Sequence, residues 1–252
     1  MLKAIAARLE DSDPSVRKAA VGALGNALQA ASSGGHKEIV LILLENGADV
    51  KAQGGRYGNA LYAASAGGHK EVVQMLLENG ADVNTQGGFY GNALYAASSG
   101  GHKEVVQILL ENGADVNTQG GSYGDALQAA CFKGHKEIVL MLLENGADVK
   151  AQGGFYGNAL QAASAGGHKE IVQMLLENGA DVNTQGGFYG NALQAASAGG
   201  HKEVVQMLLE NGADVNTQGG KYGNALQAAS AGGHKEVVQM LLEKGTDVNS
   251  KG

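Results

Sequence analysis

The sequence predicts an all-α solenoid of stacked helix-turn-helix repeats with protruding hairpin-like loops, and three observations carry that expectation. Seven histidines stand at 36, 69, 102, 135, 168, 201 and 234, each 33 residues after the last. The stretch from Tyr189 to Val205 recurs with few changes from about residue 57 to 238. The 41 glycines, against a single proline, fall at fixed places in this unit, where they mark turns and helix ends. A fixed period of this length means one supersecondary unit stacked on copies of itself, each touching only its neighbours. The working part of such a chain is expected to be a surface, not a pocket.

One unit, residues 54 to 86, justifies the elements in order. Gly54-Gly55-Arg56-Tyr57-Gly58 is a turn cluster, because glycine adopts backbone angles that other residues resist. Asn59 follows as an N-cap whose side chain accepts from the free N–H groups of the first turn. Ala60 to Ala66 then forms a short helix, with Leu61, Ala64 and Ser65 on one face, and Gly67-Gly68 stops it. A second helix runs from His69 to Asn79. Val72, Val73, Leu76 and Leu77 form its apolar stripe, and Lys70, Gln74 and Glu78 lie on the wet side. Gly80 ends it, and Ala81 to Gln86 is expected to lead out in extended form. Neither helix is long enough to stand alone in water, so stacking must supply the burial.

The stretches Gly68-His69-x-Glu71-Val72-Val73 and Leu76-Leu77-Glu78-x-Gly80-Ala81-Asp82-Val83-Asn84, recurring seven times in register, resemble the ankyrin repeat. The resemblance covers residues 26 to 252 as seven repeats: 26–53, 54–86, 87–119, 120–152, 153–185, 186–218 and 219–252. The family's Thr-Pro-Leu-His start is replaced here by Asn59-Ala60-Leu61-Tyr62, and by Asn-Ala-Leu-Gln in most copies. The variant unit also resembles near-identical arrays in fungal intracellular receptors; near-identity equally fits an engineered array. The N-terminus differs. Met1 to Leu9 reads as one helix, Asp13 as an N-cap with Pro14 at the first helical position, and Ser15 to Leu24 as a second helix. Residues 1–25 resemble a HEAT hairpin, with the simplest role of covering the N-terminal face of the stack.

Composition narrows the function classes. The net charge is −7 and no basic stripe is present, which argues against a nucleic-acid backbone as main partner. The longest apolar runs, such as Ile39 to Leu44 and Ile138 to Leu143, are too short to span a bilayer, and the first ten residues lack the pattern of a secretory signal. A single cysteine, Cys131, fits a reducing compartment. The expectation is a soluble cytoplasmic protein.

No catalytic, cofactor or metal site is expected. One histidine per repeat forms a ladder, whereas zinc needs its ligands about 2 Å from one ion. Each histidine is instead expected to hydrogen-bond a neighbouring turn. Cys131 stands where other units carry serine and reads as a small core residue. The Gly-Gly turns lack the lysine of a phosphate loop. Tyrosines 57, 90, 123, 156, 189 and 222 recur at one position, which points to a structural job along the loop row.

The variable positions are the candidate contacts. The residue after each Gly-Gly is Arg56, Phe89, Ser122, Phe155, Phe188 or Lys221. The first helices add Tyr62 and Tyr95, where later copies have glutamine. The fourth unit departs most, with Asp125, Phe132 and Lys133. By the resemblance, loop tips and first-helix ends line a concave binding face, where aromatic residues make good anchors. The expected function is a non-enzymatic scaffold presenting that face to a protein partner. The alternatives are a structural spacer or self-stacking segment of a larger receptor, and an engineered scaffold without a natural ligand. The last unit keeps Val237, Val238, Met240, Leu241 and Leu242 like internal units, so its outer face is expected to be poorly capped, with either the natural chain continuing past Gly252 or this face meeting another copy.

Overall fold

A computed structural model describes residues 13–54, 58–87 and 91–247. The chain divides into two compact units, residues 1–115 and 116–252. The first holds α1 (Pro14–Ser33), α2 (Lys37–Glu45), α3 (Ala60–Ala66), α4 (Lys70–Glu78), α5 (Ala93–Gly100) and α6 (Lys103–Glu111). The second holds α7 (Ala126–Lys133), α8 (Lys136–Glu144), α9 (Ala159–Gly166), α10 (Lys169–Glu177), α11 (Ala192–Gly199), α12 (Lys202–Glu210), α13 (Ala225–Gly232) and α14 (Lys235–Glu243). Odd-numbered helices pack on one another within each unit, and so do even-numbered ones. Among the described residues, β-structure is limited to isolated bridges at loop bases. This is an all-α solenoid of helix pairs.

Each short first helix starts at a side-chain N-cap, an asparagine at all of them but α7, where it is Asp125. Asn59 Oδ1 accepts from the Tyr62 N–H at 2.7 Å, and Asn158 Oδ1 from the Gln161 N–H at 2.8 Å. The small residues Ala159, Ala162, Ala163 and Ser164, with Leu160 and Gln161, are all buried, so α9 has almost no wet face. That corrects the one-sided burial expected from the sequence: a first helix is covered by its own partner helix, by the first helices on either side and by the loops. The second helices keep the expected stripe. Ile171, Val172 and Leu175 are fully buried in α10, while Lys169, Glu170 and Gln173 face water. At the helix end Gly179 turns with φ +86, and the Ala180 N–H closes on the Leu175 carbonyl at 3.0 Å.

The N-terminal reading is corrected at one point. Asp13 does cap, its carboxylate accepting from the Ser15 N–H at 2.8 Å, and Pro14 opens the helix. The helix then runs unbroken for 20 residues through Gly25 and Asn26. An asparagine caps only where extended backbone precedes it, and here no Gly-Gly-x-Tyr turn comes before Asn26, so helical hydrogen bonding continues through it. Gly25 is needed inside that helix because a Cβ there would stand 2.7 Å from the Ala52 Cβ. The first helix of the HEAT-like hairpin lies outside the described residues.

The exit from the second helix is a turn, not the extended lead expected. Asp82 Oδ1 accepts from the Asn84 N–H at 3.0 Å and its carbonyl from the Thr85 N–H at 3.2 Å. Aspartate does this readily because its short side chain reaches the backbone two residues on. In the last repeat, Thr246 takes the place of the usual alanine, and its hydroxyl donates to the Leu241 carbonyl at 2.9 Å. Leu226 and Gln227 there are half-buried, whereas Leu193 and Gln194 are 1% exposed one repeat earlier.

Candidate functional site

The loops of the second unit build a continuous row. In Gly186-Gly187-Phe188-Tyr189-Gly190 the Gly186 N–H donates to the Gly190 carbonyl at 2.8 Å, and the same closure recurs at Gly153–Gly157 and Gly219–Gly223. Gly187, at φ +64, packs so closely on the previous loop that a Cβ would strike the Tyr156 carbonyl. This approach lets the tips bond to one another through the main chain. Phe155 N–H donates to Ser122 O at 3.0 Å, Phe188 N–H to Phe155 O at 2.8 Å and Lys221 N–H to Phe188 O at 2.9 Å. Tip side chains therefore stand in register, one per repeat.

The rings stack accordingly. The centroids of Tyr123 and Tyr156 are 5.8 Å apart, those of Tyr156 and Tyr189 6.2 Å, and those of Tyr189 and Tyr222 6.3 Å. Above them Phe155 lies on Phe188 at 4.6 Å, and both meet Tyr189 edge-on. Phe132 stacks on Tyr156 at 4.5 Å. From Tyr123 to Tyr222 the tyrosines thus pack on one another, as their recurrence implied, while Tyr57 and Tyr90 lie outside the described residues; burial together with its tyrosine neighbours pushes the Tyr156 hydroxyl pKa well above its ordinary value. Phe155 remains 45% exposed. A cation closes each end: Lys221 Nζ lies 5.0 Å from the Phe188 ring centre and 5.4 Å from Tyr222, and Lys133 Nζ lies 5.5 Å from Phe132 and 5.8 Å from Tyr123.

The structure brings six of the sequence-predicted contacts together: Ser122, Phe132, Lys133, Phe155, Phe188 and Lys221. Three others it places inside. Tyr62 and Tyr95 are 5% and 3% exposed, because first helices are enclosed on all sides. Asp125 is also buried; it caps α7, its carboxylate accepting from the Gln128 N–H at 2.8 Å and from the Gln119 and Gln128 side chains at 3.2 and 3.1 Å. Desolvation raises its pKa, partly offset by those hydrogen bonds. Arg56 and Phe89 lie outside the described residues. Cys131 is fully buried, and burial pushes its thiol pKa well up, as befits a core residue.

Three inter-repeat clamps hold the row, of which only the histidine was expected. His201 Nε2 meets the Ala165 carbonyl at 3.0 Å, and His69, His102, His168 and His234 make the same contact 36 residues back. Gln161 Nε2 donates to the Thr184 and Gly190 carbonyls of the next loop at 3.1 and 3.3 Å, and Gln194 repeats the pattern. Asn183 donates to Gly212 O at 3.0 Å and accepts from the Asp214 N–H at 2.9 Å. The signal for the last two was present: glutamine and asparagine recur at one register where exposed positions would drift.

Comparison with known proteins agrees with this geometry. The family model described as "Ankyrin repeats (3 copies)" matches residues 3–87, 85–153 and 159–252. The chain belongs to the ankyrin-repeat family, whose repeats are generally protein–protein interaction modules and typically non-enzymatic. The first match begins at residue 3 and so takes in the segment that resembles a HEAT hairpin. In particular, the structure is similar to the crystal structure of the human ASB11 ankyrin repeat domain, with a TM-score of 0.73 and 26% identity over 85% of this chain and 96% of that one. No curated protein matches the sequence.

Proposed function

We propose that this chain is a non-enzymatic scaffold that holds a protein partner against the loop-tip row of its second unit. The observation that supports this most is the stacked pair of exposed Phe155 and half-buried Phe188, held in register by backbone hydrogen bonds rather than by a core. Rigid aromatic groups on a fixed frame lose little entropy on binding and make strong anchors. A photo-crosslinking amino acid at 155 tests it against the same group at Glu177 on α10. A partner captured from 155 and not from 177, with capture from 155 lost when Phe188→Ser is added, is the expected result. Equal capture from both positions would sink the reading.

A second contact, between copies of the chain, is favoured by the outer face of the last repeat. Leu226 and Val238 are half-buried there, whereas Leu193 and Val205, their counterparts one repeat earlier, are covered by the next helix pair. Sedimentation at rising concentration should show association that Leu226→Lys abolishes; a strictly monomeric wild-type protein would exclude it.

A further inference from the structure

Charge is distributed very unevenly around the repeat. Residues 152–168 and 185–201, each a loop tip with its first helix, contain no Asp, Glu, Lys or Arg. Residues 218–234 contain only Lys221, and residues 119–135 only Asp125 and Lys133. Asp125 is buried beneath its cap hydrogen bonds. In a chain of net charge −7, the second unit therefore confines its exposed acidic groups to the second helices and loop stems, and leaves on the tip row two cations and no exposed anion. Each ammonium is held over ring faces at an end of the row, which fixes its position without neutralising it.

The spacing of the row adds a length scale. Its tyrosine steps of 5.8, 6.2 and 6.3 Å are close to the roughly 6.6 Å covered by two residues of an extended strand. An extended segment running along the row thus sets every second side chain over a successive rung. Four rungs, from Tyr123 to Tyr222, take residues i, i+2, i+4 and i+6. The end rungs carry Lys133 and Lys221, and between them lie Phe155 and Phe188.

We infer that the row binds an extended acidic peptide segment of the partner, with carboxylates six residues apart and apolar side chains at the two alternate positions between. This assignment rests on the loop-tip reading above. The carboxylates meet Lys133 and Lys221, and the apolar residues cover the stacked phenylalanines.

The test uses the full chain and fluorescent heptapeptides in a polarisation assay. The first peptide carries glutamate at positions 1 and 7 with leucine and tyrosine at 3 and 5. The others replace both glutamates with glutamine, lysine or phosphoserine. The glutamate peptide should bind at least about 10-fold more tightly than the glutamine peptide, from the loss of two exposed charge pairs, and weaken as salt rises. Lys133→Gln and Lys221→Gln should each cost the glutamate peptide about 3- to 5-fold and leave the glutamine peptide unchanged. Both lysines are exposed, and unchanged melting curves will confirm that the variants fold. Equal binding of glutamate and glutamine peptides, preference for the lysine peptide, binding of the phosphoserine peptide alone, or no binding at millimolar concentration would each overturn the inference. Crosslinking of a partner from position 155 in any of those cases would leave the broader loop-tip reading standing, whereas its absence would remove both.

Discussion

His201 donates its Nε2–H to the carbonyl oxygen of Ala165 across the junction between two repeats, at 3.0 Å. The acceptor is a carbonyl near the end of a first helix, which has no later helical N–H to bond. The imidazole thus supplies from one repeat the partner that the previous repeat lacks. His201→Ala should lower stability by about 1–3 kcal/mol, the cost of leaving such a partly buried group unpaired. His36 is exposed at the first position of the series, and His36→Ala should cost clearly less. Denaturant melts of the two variants side by side measure the difference.

The asparagine clamp is missing at one junction of the second unit. Asn117, Asn183 and Asn216 each reach the following repeat, but Lys150 occupies the same register. Lys150→Asn should supply bonds to the Gly179 carbonyl and the Asp181 N–H. A gain of about 1 kcal/mol, or roughly 2–4 °C in melting temperature, is expected. Asn183→Ala should move the melt the other way.

Asp125 gives the fold a pH dependence of known sign. Its pKa is raised in the folded chain above the ordinary value, chiefly by desolvation. The folded state then holds this proton more tightly than the unfolded state does, so stability falls as pH rises from the unfolded pKa of about 3.9 through the raised value. Asp125→Asn restores the cap used at Asn158 and Asn191 and frees Gln128 to bond the next loop as Gln161 does. The variant should be more stable than wild type at neutral pH, with the advantage shrinking toward pH 4. Urea titrations at several pH values check the slope.

Two glycines separate backbone strain from crowding. Gly179 and Gly187 both have positive φ, but only Gly187 would drive a Cβ into the neighbouring Tyr156 carbonyl. Gly179→Ala should cost about 1 kcal/mol, the strain of a left-handed alanine. Gly187→Ala should cost more, about 2–4 kcal/mol, and should weaken the near-ultraviolet circular dichroism expected of the Phe155–Phe188 stack. Equal costs would mean that the tips are free to separate.

The helices were largely legible in the sequence. Period, N-cap asparagines and terminal glycines located α3 and α4 to within a residue, because those signals are local. Two things were not legible, for a common reason. Tyr62 and Tyr95 look like wet-face residues on a short helix, and only the arrival of neighbouring repeats and overlying loops buries them. The tip ladder uses main-chain donors and acceptors, which leave no mark on residue identity beyond the glycines that let the loops approach. Asn26 shows the converse: a residue type that caps elsewhere is carried inside α1, since capping depends on the backbone before it.

Because the rungs of the ladder are peptide groups, the row is indifferent to what its tips carry. Phenylalanine, serine and lysine occupy the same rung geometry in adjacent repeats. An unequal exchange between two near-identical copies would delete or insert a whole unit of 33 residues, and the hydrogen bonds would close again over the new junction. The order of side chains along the row is therefore open to rearrangement in single steps, with the frame inherited intact and the recognition code rewritten.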